Sequence, residues 1–268
     1  MPGISLASRA IKRATVAALF AVLALPLSAR AESPALSCNA PLDLIRFANP
    51  LSHVAQKLAT GAPIIIVAMG SSSTAGAGAS SPTASYPSRL AAELKRLFPN
   101  QSITVLNRGA NGEEVADMLK RFDKAVLAAK PDLVLWQLGT NSVIRDHMFT
   151  DHGLAISEGL NKIRSIGADI VLIDPQFAPR VIAKPEAEHM VELIAATAKR
   201  ENVDLFRRFE VMKHWHDDDH MAFESFVSPD GLHLNDWSYA CMAKGLSLAI
   251  AESVERPVVS AAIMSLIP

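Results

Sequence analysis

The chain has 268 residues, half of them hydrophobic, and carries 26 Lys and Arg against 27 Asp and Glu, a formal charge of −1. With no basic cluster it has no electrostatic footprint for nucleic acid. With so large an apolar share it can bury one sizeable core, and no internal repeat or low-complexity linker marks a second domain.

Residues 1–31 read as a secretory signal, because Arg9, Lys12 and Arg13 precede the apolar stretch "ATVAALFAVLALPL" and Ala29-Arg30-Ala31 offers a cleavage site. About 14 apolar residues fall short of the roughly 20 that span a bilayer, so no stable membrane anchor is expected after cleavage. Residues 32–268 are then the exported domain, periplasmic or extracellular. Four basic and no acidic residues leave with the signal, which takes the formal charge from −1 to −5. Two cysteines remain, Cys38 and Cys241. In an oxidising compartment an isolated pair is expected to bridge, tying the N-terminal segment to the last helix; two free buried thiols are the alternative.

Residues 41–60 look like a helix interrupted near Pro50. Apolar runs of strand length follow at 64–69, 102–106, 133–138 and 169–173, with a shorter one at 202–206. Stretches of helical period separate and follow them at about 87–98, 113–129, 151–166, 186–201 and 236–253. Continuous apolar strands alternating with helices indicate a parallel sheet covered on both faces. The fold class is therefore α/β, a single doubly wound domain with a central parallel sheet of about five strands. Trp136 and Trp237, with Met148 and Phe149, read as core in preference to an acyl-chain contact. "HWHDDDH" (214–220) reads as a polar loop; its His214, His216 and His220 could ligate a metal, although lining a cleft mouth is the favoured role. The tail "PVVSAAIMSLIP" is too short to span a membrane and is expected to pack on the domain.

In an open parallel sheet ligands bind beyond the carboxyl ends of the strands. "GSSSTAG" (70–76) follows the first strand, "NRGANG" the second and "GTNS" the third. A serine hydroxyl attacks only when a base, usually a carboxylate-oriented histidine, takes its proton. "SPDGLHLND" supplies Asp230 and His233 three apart, so that the carboxylate can hold one ring nitrogen while the other faces outward. The oxyanion of acyl transfer needs fixed donors, and the candidates are the nucleophile's own N–H, the Gly109 N–H and the Asn141 side-chain amide. A phosphate cradle is excluded, since neither the P-loop lysine nor G-x-G-x-x-G is present. The nucleophile elbow G-x-S-x-G fails as well, because residue 74 is Thr.

These blocks together resemble the SGNH hydrolase superfamily, the GDSL-type esterases and lipases. That family's G-D-S-x-T-x-G matches residues 70–76, its second-block glycine Gly109, its third-block asparagine Asn141, and its D-x-x-H Asp230 and His233. The resemblance makes Ser72 the nucleophile and leaves Ser71 and Ser73 as turn formers. It implies a serine hydrolase that cleaves carboxylic esters through an acyl-enzyme, with Ser72, Asp230 and His233 catalytic and Ser72, Gly109 and Asn141 holding the oxyanion. No metal or organic cofactor is implied. Ser71 stands where the family's aspartate usually stands, and is expected to keep the turn's hydrogen bonds. The implied substrate is a small-molecule or polysaccharide ester, acetyl-sugar esters being preferred. An acyltransferase passing an acetyl group to a sugar hydroxyl and a non-catalytic carbohydrate-binding module stay open, and nothing in the sequence sets an oligomeric state.

Overall fold

Five apolar runs become five parallel strands: β1 (Ile64–Gly70), β2 (Ile103–Gly109), β3 (Leu133–Gln137), β4 (Asp169–Ile173) and β5 (Asp204–Phe206). Their spatial order is β2-β1-β3-β4-β5. The computed structural model describes Met1, Gly3, Cys38 and residues 41–147 and 151–256. The expected signal segment (Met1 and Gly3 aside), Met148, Phe149 and the 257–268 tail lie outside the described residues.

Every residue of β3 is buried, as its unbroken apolar run requires of a strand covered on both faces. β2, at the edge, is half-exposed along its length. It runs three residues past its expected end because Asn107, Arg108 and Gly109 pair with Ala68, Met69 and Gly70; backbone pairing at an edge needs no apolar side chain. β5 starts at Asp204, two residues later than expected. Asn202 is instead left-handed (φ 50°) and Val203 donates its N–H to Ala198 O at 3.0 Å, closing the helix Ala187–Arg200.

The expected helix over 113–129 is three short pieces, Val115–Lys120, Phe122–Ala125 and the 3-10 turn Leu127–Ala129. The break is at Arg121 (φ −110°, ψ 6°), whose guanidinium turns back to the Glu113 carboxylate and to Arg108 O. Residues 41–60 form two helices, Leu42–Ile45 and Ser52–Thr60, and the intervening carbonyls of Phe47 and Asn49 accept from Arg256.

The segment 214–220 corrects the sequence reading. His214, His216 and Asp217 form the last turn of a helix, Arg208–Asp217, whose Phe209, Val211, Met212 and Trp215 are buried. Apolar positions at 209, 212 and 215 carry the helical spacing, which the polar run "HDDDH" obscures.

Trp136 is fully buried, edge-on to Phe122 with centroids 5.1 Å apart, and Gly159 leaves its ring the room that a Cβ would take. Trp237 packs against Trp215 at 5.0 Å. Cys38 and Cys241 are joined in a disulfide with Cα atoms 5.2 Å apart, which ties the N-terminal segment to the final helix, Asp236–Glu255.

Candidate active site

The strand order reverses at β1, with β2 on one side and β3 on the other, and the crevice beyond the carboxyl ends at such a switch point is where open α/β sheets place ligands. Gly70 ends β1 there. A Cβ on it would meet Thr74 Oγ1 and the Gln137 side chain, so the glycine lets the chain turn at once into the short helix Ser72–Ala75.

That turn sorts the three serines. Ser71 is buried, and both its N–H and its Oγ donate to Gln137 Oε1 at 2.9 Å. Ser73 is buried and its Oγ accepts from Arg208 Nη1 at 3.0 Å. Ser72 is half-buried, and its Oγ meets His233 Nε2 at 2.8 Å. Ser71 thus hydrogen-bonds in the turn as expected of it, its partner being the end of β3.

The histidine is held by a self-contained loop. Asp230 Oδ1 accepts the N–H groups of Leu232 and His233, both at 2.9 Å, while Oδ2 meets His233 Nδ1 at 2.5 Å. Gly231, at φ 68°, supplies the left-handed turn this needs. One carboxylate therefore fixes backbone and ring together, and the ring's other nitrogen is left facing Ser72. Burial pushes the Asp230 carboxyl up, but hydrogen bonds from the His233 ring and from the N–H groups of His233 and Leu232 outweigh it and hold it below its ordinary value.

Asn141 lies in the short helix Thr140–Ile144 after β3. Its Nδ2 donates to Glu113 O at 2.8 Å, which fixes the amide against the turn after β2. Gly109 does not match its expected role, since its N–H is donated to Asn107 Oδ1 at 2.9 Å. Its missing Cβ has another use: one there would run into the backbone of Thr74 and Ala75, so Gly109 lets the serine turn lie on β2. Gly112, at φ 76°, directly precedes Glu113 in the same turn.

Three polar residues escaped the sequence reading. Asp174 and Gln176 follow β4 and Arg208 follows β5, and all three are buried. They sit past strand ends just as the serine turn does, which was the available signal. Burial pushes the Asp174 carboxyl up to about 7 despite the nearby Arg208, and burial lowers the Arg208 guanidinium to about 10. Asp174 Oδ1 accepts from Phe209 N–H at 3.0 Å, and Oδ2 has no hydrogen-bond partner among the described residues.

Asp174 makes the stability of the fold depend on pH. Its native value lies above the unfolded one of about 4, so the native state binds this proton more tightly. The resulting stabilisation is complete below about pH 4 and is lost as pH rises through about 7, at about 1.4 kcal/mol per pH unit in between. Asp174→Asn keeps an oxygen for Phe209 N–H and removes the titration. Urea unfolding at pH 5 and pH 7 should show the wild type losing about 2–3 kcal/mol more than the variant; equal losses would refute it.

Within 214–220, His214 Nδ1 meets Asp218 Oδ2 at 2.7 Å and His216 Nδ1 meets Asp217 Oδ1 at 2.8 Å. His216 also stacks on Phe223, with centroids 4.3 Å apart.

A serine, a histidine and an aspartate thus stand in one hydrogen-bonded line at the switch point of a 2-1-3-4-5 parallel sheet. The chain belongs to the Non-GDSL lipase-like family, whose model matches residues 37–256. It is 37% identical over 54 residues to an acetylxylan esterase of Geobacillus stearothermophilus, a match that covers 20% of this chain and 25% of that one. Among solved structures, a two-domain esterase active on acetylated mannans superposes with a TM-score of 0.68 at 18% identity, over 81% of this chain and 57% of that one. A G-D-S-L family lipolytic protein of Desulfitobacterium hafniense, described as putative, gives 0.58 at 22% identity, over 69% and 98% of the two chains. A catalytic mutant of an acetylxylan esterase from Geobacillus stearothermophilus gives 0.59 at 16% identity, over 72% and 95%. At these identities the structural likeness is one of fold.

Proposed function

We propose that this protein is an exported serine esterase that removes acetyl groups from a polysaccharide through an acyl-enzyme. The observation that carries the reading is the continuous line from Ser72 Oγ to His233 Nε2 at 2.8 Å and from His233 Nδ1 to Asp230 at 2.5 Å. His233 takes the Ser72 proton as the oxygen attacks the ester carbonyl; the tetrahedral intermediate collapses, and the protonated ring gives that proton to the leaving sugar oxygen. Water, deprotonated by the same nitrogen, then attacks the acetyl-serine; acetate leaves and the proton returns to Ser72. Asp230 keeps the ring in one tautomer and stabilises the imidazolium.

The oxyanion is held by the Ser72 N–H and the Asn141 amide, whose second hydrogen is left when the first is given to Glu113 O. With the Gly109 N–H engaged by Asn107, the Gly112 N–H takes the third place, one residue before the carbonyl that anchors Asn141. The acetyl-ester preference is supported by the acetylxylan and acetylmannan esterases among the relatives. In the catalytic mutants of the acetylxylan esterase the replaced residues are a serine, an aspartate and a histidine, the last two three positions apart, as Asp230 and His233 are. Export is supported by the disulfide; no described helix is long and apolar enough to cross a membrane.

The test is release of p-nitrophenol from acetyl through octanoyl esters, beside release of acetate from acetylated xylan and mannan oligosaccharides. Acetyl esters should be the fastest of the series, and acetate should be released from the sugars. Preference for the octanoyl ester with intact acetylated sugars would make the protein a lipase in place of a carbohydrate esterase.

A further inference from the structure

Arg208 is a fully buried cation, and the proposed chemistry gives it no part. Burying a guanidinium is costly unless its donors are met, so its partners show what it does. Nε donates to Asp174 O at 2.9 Å, Nη1 to Ser73 Oγ at 3.0 Å and Nη2 to Gln176 Oε1 at 2.9 Å. Gln176 Oε1 accepts in addition from Thr140 Oγ1 at 2.8 Å, and its Nε2 donates to Leu232 O at 3.1 Å. This set of partners orients the amide unambiguously, since the oxygen faces two donors and the nitrogen a carbonyl.

The residues reached are informative. Ser73 follows Ser72, Thr140 precedes Asn141, and Leu232 precedes His233. The three segments come from three parts of the chain, and among the described residues Gln176 and Arg208 touch a neighbour of each. Both are buried, where hydrogen bonds to a charged group are strong and geometry is tightly held.

We propose that Gln176 and Arg208 are positioning residues that set the distances among Ser72, His233 and Asn141, acting through Ser73, Leu232 and Thr140 without touching substrate. The proposal rests on the esterase reading for its kinetic readout. Misplacing reacting groups by about 1 Å can cost on the order of 10²-fold in rate, so the expected loss is in kcat while binding is spared.

Gln176→Glu is the sharp test. A carboxylate there still accepts from Arg208 and Thr140 but cannot donate to Leu232 O, so only the histidine arm is cut. In the wild type the proton between His233 Nδ1 and Asp230 should give a low-field 1H resonance, a signal of the resting protein that needs no turnover. In Gln176→Glu that resonance should move or broaden, and kcat for p-nitrophenyl acetate should fall about ten- to a hundredfold with KM within about twofold. A purely structural role would lower the thermal midpoint and leave both readouts alone. An unmoved resonance in folded Gln176→Glu overturns the proposal whatever the rate does. If the wild type hydrolyses no ester, the esterase reading fails and the resonance alone decides this one. If Gln176→Glu does not fold, Ser73→Ala cuts the serine arm instead. The rate at which a fluorophosphonate modifies Ser72 should then fall about tenfold, and an unchanged rate overturns the proposal.

Discussion

Ser72→Ala should reduce ester hydrolysis by on the order of 10⁶ in kcat, to the background of the assay, with an unchanged thermal midpoint. The size of the loss comes from the chemistry, because without Oγ there is no acyl-enzyme and His233 has no proton to take. The unchanged stability comes from the structure. Ser72 is half-buried and its hydroxyl meets His233, whereas the hydroxyls of Ser71 and Ser73 are committed to Gln137 and Arg208. Asn141→Ala should cost on the order of 10² to 10³, the range for one oxyanion donor. Steady-state rates for the three proteins on p-nitrophenyl acetate check both expectations. Turnover within tenfold of wild type in Ser72→Ala would remove it as nucleophile, and a loss below about threefold would take Asn141 out of the oxyanion hole.

Reducing the Cys38–Cys241 bond should destabilise the fold by up to about 5 kcal/mol, comparable to the whole net stability of a small domain. The bridge closes a loop with a sequence separation of 203, so in the chain-entropy account it restrains nearly the entire unfolded domain. Cys38→Ala is the cleaner probe, since Cys241 is buried in the core and its removal would add a cavity. Urea unfolding of the wild type with and without reductant, beside Cys38→Ala, measures the effect. A shift under about 1 kcal/mol in both comparisons would show that the bridge does not govern stability.

The layout of the sheet was legible because parallel strands buried on both faces must be continuously apolar: 64–69, 133–138 and 169–173 are such runs, and each lies within one residue of its strand's ends. Boundaries slipped where pairing does not depend on side-chain polarity. β2 runs on through Asn107 and Arg108 at an exposed edge. The helix Arg208–Asp217 went unread because its last turn is a run of His and Asp, while its buried face shows only once Phe209, Met212 and Trp215 pack.

An α/β domain of alternating strands and helices, and a D-x-x-H turn in which one carboxylate can hold a ring nitrogen, were legible without the fold, because each depends on periodicity or on residues a few positions apart; the cysteine pair, 203 residues apart, was legible from its number and compartment alone. Choosing among Ser71, Ser72 and Ser73 by contact, moving Gly109 from donor to packing position, and joining Asp174, Gln176 and Arg208 beneath the site were left to the tertiary structure. Those outcomes depend on which strand ends become neighbours. Ser73 and Arg208 are 135 residues apart and Gln176 and Leu232 are 56 apart, so no local pattern records them. Buried polar groups must find partners, and only the folded sheet, by bringing its carboxyl ends together, decides which partners are within reach.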